Sequence, residues 1–343
     1  MEKTELQIAA GKLINEIFAV KTGENLLITM DYESNQSVAR VIADAVQEAK
    51  AFPMQVLVPT PGGVGKAADP DLPIDTLSGA LLSADVWIEL NHQWLLYSTP
   101  FERAYKNNEK LRYMCLADFD EGLLIRTVGH VETPQLQVFM RRAAELHKAA
   151  KTMRVTTPAG TDVSFELEPR HYVCVDCGDA SFPAMHMLTG QLNIVPRFGT
   201  VTGKIVFDGS VTPPFGRILH ENITLTVDKG VIVKVEGGEE AAEYDAWLHH
   251  FNDPGMLKMA HIAYGFNPGA ILTGSVVEDE RVWGCTEWGI GYVSTIDAPP
   301  DGQEAVSHSD GICLNSSVWL DGHQIMDCGK ITDPELYALS PVK

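Results

Sequence analysis

Asn25-Leu26-Leu27-Ile28-Thr29-Met30, the stretch 37–51 and Gln55-Val56-Leu57-Val58 decide the fold when they are read together. The first and last are short apolar runs with the length and composition of buried strands. Between them Val38, Val41, Ile42, Ala45 and Val46 recur at helical spacing, and residues 31–35 supply loop and cap chemistry. A strand, a crossover of more than a dozen residues and a second strand require parallel pairing with a right-handed connection.

The pattern extends in both directions. Leu6, Ile8, Leu13, Ile14, Ile17 and Phe18 place a helix over 5–21. Downstream, a helix fits 73–83, a strand 85–90, a helix 99–107, a strand 111–116 and a helix 134–151. From residue 152 the period shortens to that of strands. Strands are expected over 152–157, 163–167, 203–207, 222–227 and 231–235, then a helix over 239–251 that Asn252-Asp253-Pro254 stops. Further strands fit 290–293, 312–314, 317–320 and 324–327, with Asp321-Gly322 as a two-residue hairpin turn. The fold class is α/β plus α+β: an open, parallel, Rossmann-like α/β domain over 1–151, then a β-rich metal-binding, catalytic domain over 152–343.

The chain of 343 residues is 45% hydrophobic and 21% charged, with a formal net charge of −20. That excess of acid argues against a nucleic-acid partner, because few cations are present to displace counterions from phosphates. No apolar run approaches the ~20 residues a membrane helix needs. Met1-Glu2-Lys3-Thr4-Glu5 lacks the character of a signal peptide, so a cytoplasmic location is expected. In that compartment the six scattered cysteines are expected to be thiols. Cys174-x-x-Cys177 has no second pair with which to complete a zinc site. The loop from Pro59 to Lys66 contains Gly and Lys but not the order of a phosphate loop, and reads as a connection.

The chemistry concentrates between 261 and 310. His308 and Asp310 are two residues apart, so an extended backbone presents both on one face. Alone, such a triplet is also what any polar loop supplies. His261 lies in the apolar run Met259-Ala260-His261-Ile262-Ala263-Tyr264, and Glu287 among apolar residues and glycines in Trp283-Gly284-Cys285-Thr286-Glu287-Trp288-Gly289. A histidine or carboxylate so placed needs a hydrogen-bond network or a cation. Two His and a carboxylate with open positions suit Fe(II) that binds O2 and substrate. The same groups around a bound water suit hydrolysis by Zn, Co or Mn.

Residues from about 185 to 330 resemble the superfamily of the aminopeptidase T/S metallopeptidases and 2,5-dihydroxypyridine 5,6-dioxygenase. The matching segments include Gly190-Gln191-Leu192-Asn193-Ile194-Val195-Pro196, the run from Pro214 to Leu225, Val235-Glu236-Gly237-Gly238, the run from His261 to Pro268, and His308-Ser309-Asp310. Where the peptidases carry a metal-binding Glu, this chain has His261, as the dioxygenase does. The resemblance therefore implies His261, His308 and Asp310 as an iron triad, and an oligomer. It also implies His186 as an acid/base group and puts Tyr97 near a pocket position. Glu287 falls in a segment where the peptidases have a metal-binding His, which keeps a four-ligand hydrolytic site open. Glu239 and Glu240 match a peptidase second-metal region and equally read as the acidic first turn of a helix. The expected function is ring cleavage of a small hydroxylated N-heteroaromatic by O2, the alternative an aminopeptidase or amidohydrolase.

Overall fold

The computed structural model describes residues 3–342. The chain forms two compact units, one running to Thr133 and including Gly178–Thr189, the other formed by Pro134–Cys177 and everything from Gly190.

The first unit holds a wholly parallel sheet in the order Phe52–Val58, Asn25–Asp31, Val86–Glu89, Arg112–Cys115, Ala184–Met187. Numbered along the chain this is 2-1-3-4-5, a doubly wound sheet whose winding reverses beside its first strand. Residues 26–31 are buried throughout, as expected for a parallel strand covered on both faces. The crossover helix Gln36–Glu48 is capped by Asn35, whose side chain accepts from the Ser37 and Val38 N–H groups. Val38, Val41, Ile42, Ala45 and Val46 are its buried stripe, as their spacing requires.

Two features differ from expectation. The first helix is α-helical over Glu5–Lys12 and widens to a π-turn over Leu13–Ile17. Its buried residues Ala9, Leu13 and Ile17, and Ala10, Ile14 and Phe18, are spaced by four. An α-helix drifts about 40° in four residues, and the wider turn rotates that stripe back toward the core. The fifth strand, Ala184–Met187, has no β-branched residue to announce it, yet pairs Met114 with His186 in parallel register.

The second unit contains two antiparallel sheets. One has eight strands, in the order Val231–Glu236, Ile223–Asp228, Thr202–Phe207, Asp162–Glu166, Thr152–Thr156, Ser317–Leu320, His323–Asp327, Lys330–Ile331. The other has seven: Arg217–Ile218, Ser210–Thr212, Gln303–Cys313, Thr286–Val293, Met259–Gly265, Gln191–Ile194, Val173–Asp176. They meet through buried rings. Phe165 stands edge-on to Trp288 with centroids 6.0 Å apart, and Phe207 lies against Gly311. Among the described residues no helix is long and apolar enough to cross a membrane.

Candidate metal centre

Three neighbouring antiparallel strands, Met259–Gly265, Thr286–Val293 and Gln303–Cys313, build the centre. Their register sets Ala263 opposite Glu287, Gly289 opposite Asp310 and Gly291 opposite His308. Directly opposed residues share a face and neighbours along a strand alternate, so His261, Glu287, His308 and Asp310 all emerge on one side. Ile262, Trp288 and Ile290 are buried on the other. The last strand begins at Gln303, nine residues before the expected 312, because the polar sequence Gln303-Glu304-Ala305-Val306-Ser307-His308 hides its pairing from a hydrophobicity pattern.

Gly289 sits between His261 on one flanking strand and Asp310 on the other. A Cβ there would stand 2.5 Å from Cε1 and Nδ1 of His261. Only a residue without a side chain lets that imidazole lie across the central strand toward Asp310.

One donor atom from each of His261, His308 and Asp310 lies within 4.8 Å of the other two. His308 Nε2 is 2.8 Å and His261 Nε2 3.6 Å from Asp310 Oδ1, and the two rings stack at 5.0 Å. Donors about 2.1 Å from one ion in adjacent positions stand about 3 Å apart, so the set matches a single cation. His308 Nδ1 is 2.9 Å from the Tyr292 carbonyl. Nδ1 must therefore carry the hydrogen, which leaves the Nε2 lone pair for the centre. On the reverse face, Ser309 Oγ donates to the Pro213 carbonyl at 2.7 Å, so Tyr244 donates the 3.0 Å bond to Ser309.

Without an ion, the electrostatics favour a neutral His261 and a proton on His308 held against Asp310, which a metal would displace. Burial and the neighbouring His308 push His261 down to about 4, so it is neutral near pH 7 and keeps a lone pair. Burial disfavours a charged Asp310, but His308 and His261 outweigh it and hold that carboxyl at about 2. Burial also works against a charge on His308, and Asp310 with the Tyr292 carbonyl more than offsets this, raising its pKa. Glu287 is fully buried, and that burial, with Asp310 and Glu280 nearby, pushes it well above the usual range. Its Oε2 is 3.1 Å from His261 Nε2, whereas Oε1, although 3.0 Å from that nitrogen, makes no hydrogen bond.

The remaining candidates separate. Glu287 touches His261 but lies outside the three-residue group. Glu240 accepts from the backbone N–H groups of His220 at 2.8 Å and Glu221 at 3.0 Å and pairs with Arg217. It is a structural brace. His186 belongs to the first unit, where Nε2 is 3.0 Å from the Phe182 carbonyl and therefore carries hydrogen. Tyr97, also in the first unit, has a positive φ of 68° and stacks edge-on against Phe101. None of the six cysteines forms a disulfide. Sequence reasoning missed Gly289, Gln191, Asn193, Glu280 and Arg281. The alternation Glu287-x-Gly289-x-Gly291 was a usable signal, whereas the charged run Glu278-Asp279-Glu280-Arg281 looks solvated and is largely buried.

The sequence pattern of the family described as NicX, 2,5-dihydroxypyridine 5,6-dioxygenase, matches residues 15–333. The 2,5-dihydroxypyridine 5,6-dioxygenase of Pseudomonas putida KT2440 is 27% identical over 202 residues, 56% of this chain and 57% of that protein's length. A solved structure of 2,5-dihydroxypyridine dioxygenase from the same organism superposes with TM-score 0.78 at 22% identity, covering 98% of this chain and 100% of that one. AmpT from Thermus thermophilus superposes with TM-score 0.68 at 12% identity, covering 96% and 99%. At such identities these two likenesses speak for the fold.

Proposed function

The chain belongs to the 2,5-dihydroxypyridine 5,6-dioxygenase family, and from that premise we propose that it is a non-haem Fe(II) dioxygenase that opens a small hydroxylated N-heteroaromatic ring. The observation that carries the proposal is the convergence of His261, His308 and Asp310 on one sheet face. Two neutral imidazoles and one carboxylate are the donor set of iron sites that keep positions open for O2 and substrate. Bound there, iron would supply a common anchor for one ring oxygen and O2 and a path for electrons between them.

The protein's own groups do the rest. The Tyr292 carbonyl fixes the His308 tautomer, Gly289 admits the His261 ring, and Asp310 brings the negative charge. His186 is assigned to proton transfer. Its Nε2 hydrogen is engaged by the Phe182 carbonyl, so Nδ1 is the nitrogen left to accept a proton. Tyr97 is assigned to the substrate pocket. Both atoms of O2 enter the ring-opened product.

A second reading, a metal-dependent aminopeptidase or amidase using a bound water with Zn, Co or Mn, is favoured by one observation: the buried Glu287 carboxylate beside His261. Protein purified without oxygen separates the two. About one iron per chain and O2 uptake on adding 2,5-dihydroxypyridine is the expected result. Zinc, cobalt or manganese with amine release from amides and no O2 uptake refutes it. We also assign a homo-oligomer, because the edge strand Phe52–Val58 leaves Phe52 64%, Met54 48% and Leu57 47% exposed. Sedimentation at the mass of a single chain refutes that assignment.

A further inference from the structure

The metal-bearing face continues beyond the ligands. On the next strand, Asn193 is paired with Ala263 and Gln191 with Gly265. These side chains therefore share the face of His261 and Glu287. Ala263 thus lies between Asn193 on one side and Glu287 on the other, with only a methyl group in the gap. Both flanking residues present oxygen to the gap: Asn193 Oδ1 is a buried acceptor with no hydrogen-bond partner among the described residues, and Glu287 is fully buried beside His261 Nε2. A buried acceptor left unpaired is costly, and native proteins keep few of them without a reason.

A third acceptor closes the end of this floor. A Cβ on Gly265 would lie 2.1 Å from the Val282 carbonyl and 2.7 Å from the Arg281 backbone, so the segment 280–282 rests directly on that face. Glu280 is held there by one oxygen. Its Oε2 accepts from Arg281 Nη1 at 2.8 Å and from Gln191 Nε2 at 2.9 Å. Arg281, fully buried, also binds Gln191 Oε1 at 2.9 Å and the Val277 carbonyl at 2.8 Å. Arg281 and Gln191 thus hold one carboxylate through its Oε2, on a side chain 13% exposed. Asp310, Glu287 and His308 all feel its charge.

We propose that Asn193 and Glu280 form a donor-reading subsite beside the metal centre, which takes the N–H edge of a hydroxypyridone-like ring. Among the described residues the lining offers acceptors, and its cation Arg281 is engaged by Glu280, Gln191 and the Val277 carbonyl, so it selects rings that donate and disfavours rings carrying a carboxylate on that edge. This rests on the function proposed above. 2,5-Dihydroxypyridine in its pyridone form carries such an N–H, whereas hydroquinone carries the same two oxygens without it.

The test uses full-length, iron-loaded protein without O2 and compares 2,5-dihydroxypyridine with hydroquinone by calorimetry, then KM and kcat for 2,5-dihydroxypyridine in air. Asn193→Ala and Glu280→Gln should each weaken 2,5-dihydroxypyridine binding about tenfold, the effect of removing a hydrogen bond from a desolvated site. Hydroquinone binding should change less than about twofold, and KM should rise far more than kcat falls. Iron content should be unchanged. Asn193→Ala removes an unpaired buried acceptor, so it should melt at or above the wild-type temperature and leave folding out of the comparison. If wild type binds and turns over 2,5-dihydroxypyridine while both variants stay within twofold of it, the subsite is overturned and the function stands. If wild type neither binds nor turns it over, the function is overturned and the ligand class with it.

Discussion

Replacing Gly289 with alanine tests the centre at its tightest point. The added methyl would stand 2.5 Å from Cε1 and Nδ1 of His261, about 1 Å inside ordinary carbon–nitrogen contact. The strand cannot yield easily, because it is paired on both sides, with Asp310 opposite Gly289 on one neighbour and Glu287 opposite Ala263 on the other. The imidazole must therefore shift by about 1 Å, whereas metal–ligand distances tolerate about 0.2 Å. One of three ligands is lost or badly strained, and a change that merely disturbs a ligand's support already costs 10- to 100-fold in affinity. We expect iron affinity to fall about 100-fold or more. The overpacking itself should cost only about 1–3 kcal/mol of stability, so the fold survives. Competition of iron with a chromogenic chelator under nitrogen, beside a thermal melt of the metal-free protein, reads both quantities. Gly289→Ala that melts like wild type and binds iron within twofold of it refutes the assignment of His261 as a ligand.

His308→Ala should abolish stoichiometric iron binding while circular dichroism stays that of wild type; full metal occupancy in this variant would remove the site from consideration. Tyr244→Phe takes away the bond that braces Ser309 between the two ligands of its strand, and iron affinity should drop by about 10-fold; an unchanged affinity would leave Tyr244 as packing alone. His147, buried and 2.8 Å from the Tyr264 hydroxyl, is pushed by burial down to about 4. The unfolded chain takes up that proton first, so stability falls as pH drops from about 6.5 to 4, by up to about 3 kcal/mol. His147→Gln should flatten this slope in denaturant titrations, and an unaltered slope would assign it to other groups.

The parallel sheet was legible because its strands are buried on both faces and its crossover helices carry a narrow apolar stripe. Asn25–Asp31 and Gln36–Glu48 advertise themselves through Leu26, Ile28, Val38 and Ile42. Ala184–Met187 does not, since nothing in Ala-Met-His-Met distinguishes a strand from a loop. The candidate site was legible in His261, His308 and Asp310, because an imidazole or carboxylate inside an apolar strand is conspicuous. Its supports were not. Gly289 matters through what it lacks, Tyr292 through its backbone carbonyl, and Glu280 and Arg281 through a burial that a run of four charges conceals. Each depends on register between strands distant in sequence, which local pattern cannot supply.

The similar backbones of a dioxygenase and of AmpT show that this scaffold does not choose the chemistry. The choice falls on His261 Nε2, the atom that approaches both Glu287 and Asp310. That nitrogen cannot share a hydrogen bond with Glu287 and give its lone pair to a metal at once. Loading the centre would therefore release the buried Glu287 carboxyl from His261. Three protein ligands would leave room for one ring oxygen and for O2, since the two oxygens of 2,5-dihydroxypyridine lie para to each other and cannot both reach one ion. Glu287 as a fourth ligand would take up part of that room. Ring cleavage is therefore favoured when Glu287 stays off the metal and finds its hydrogen bond elsewhere. Across Ala263, with Asn193 facing it, a donor on the bound ring is in position to provide that bond.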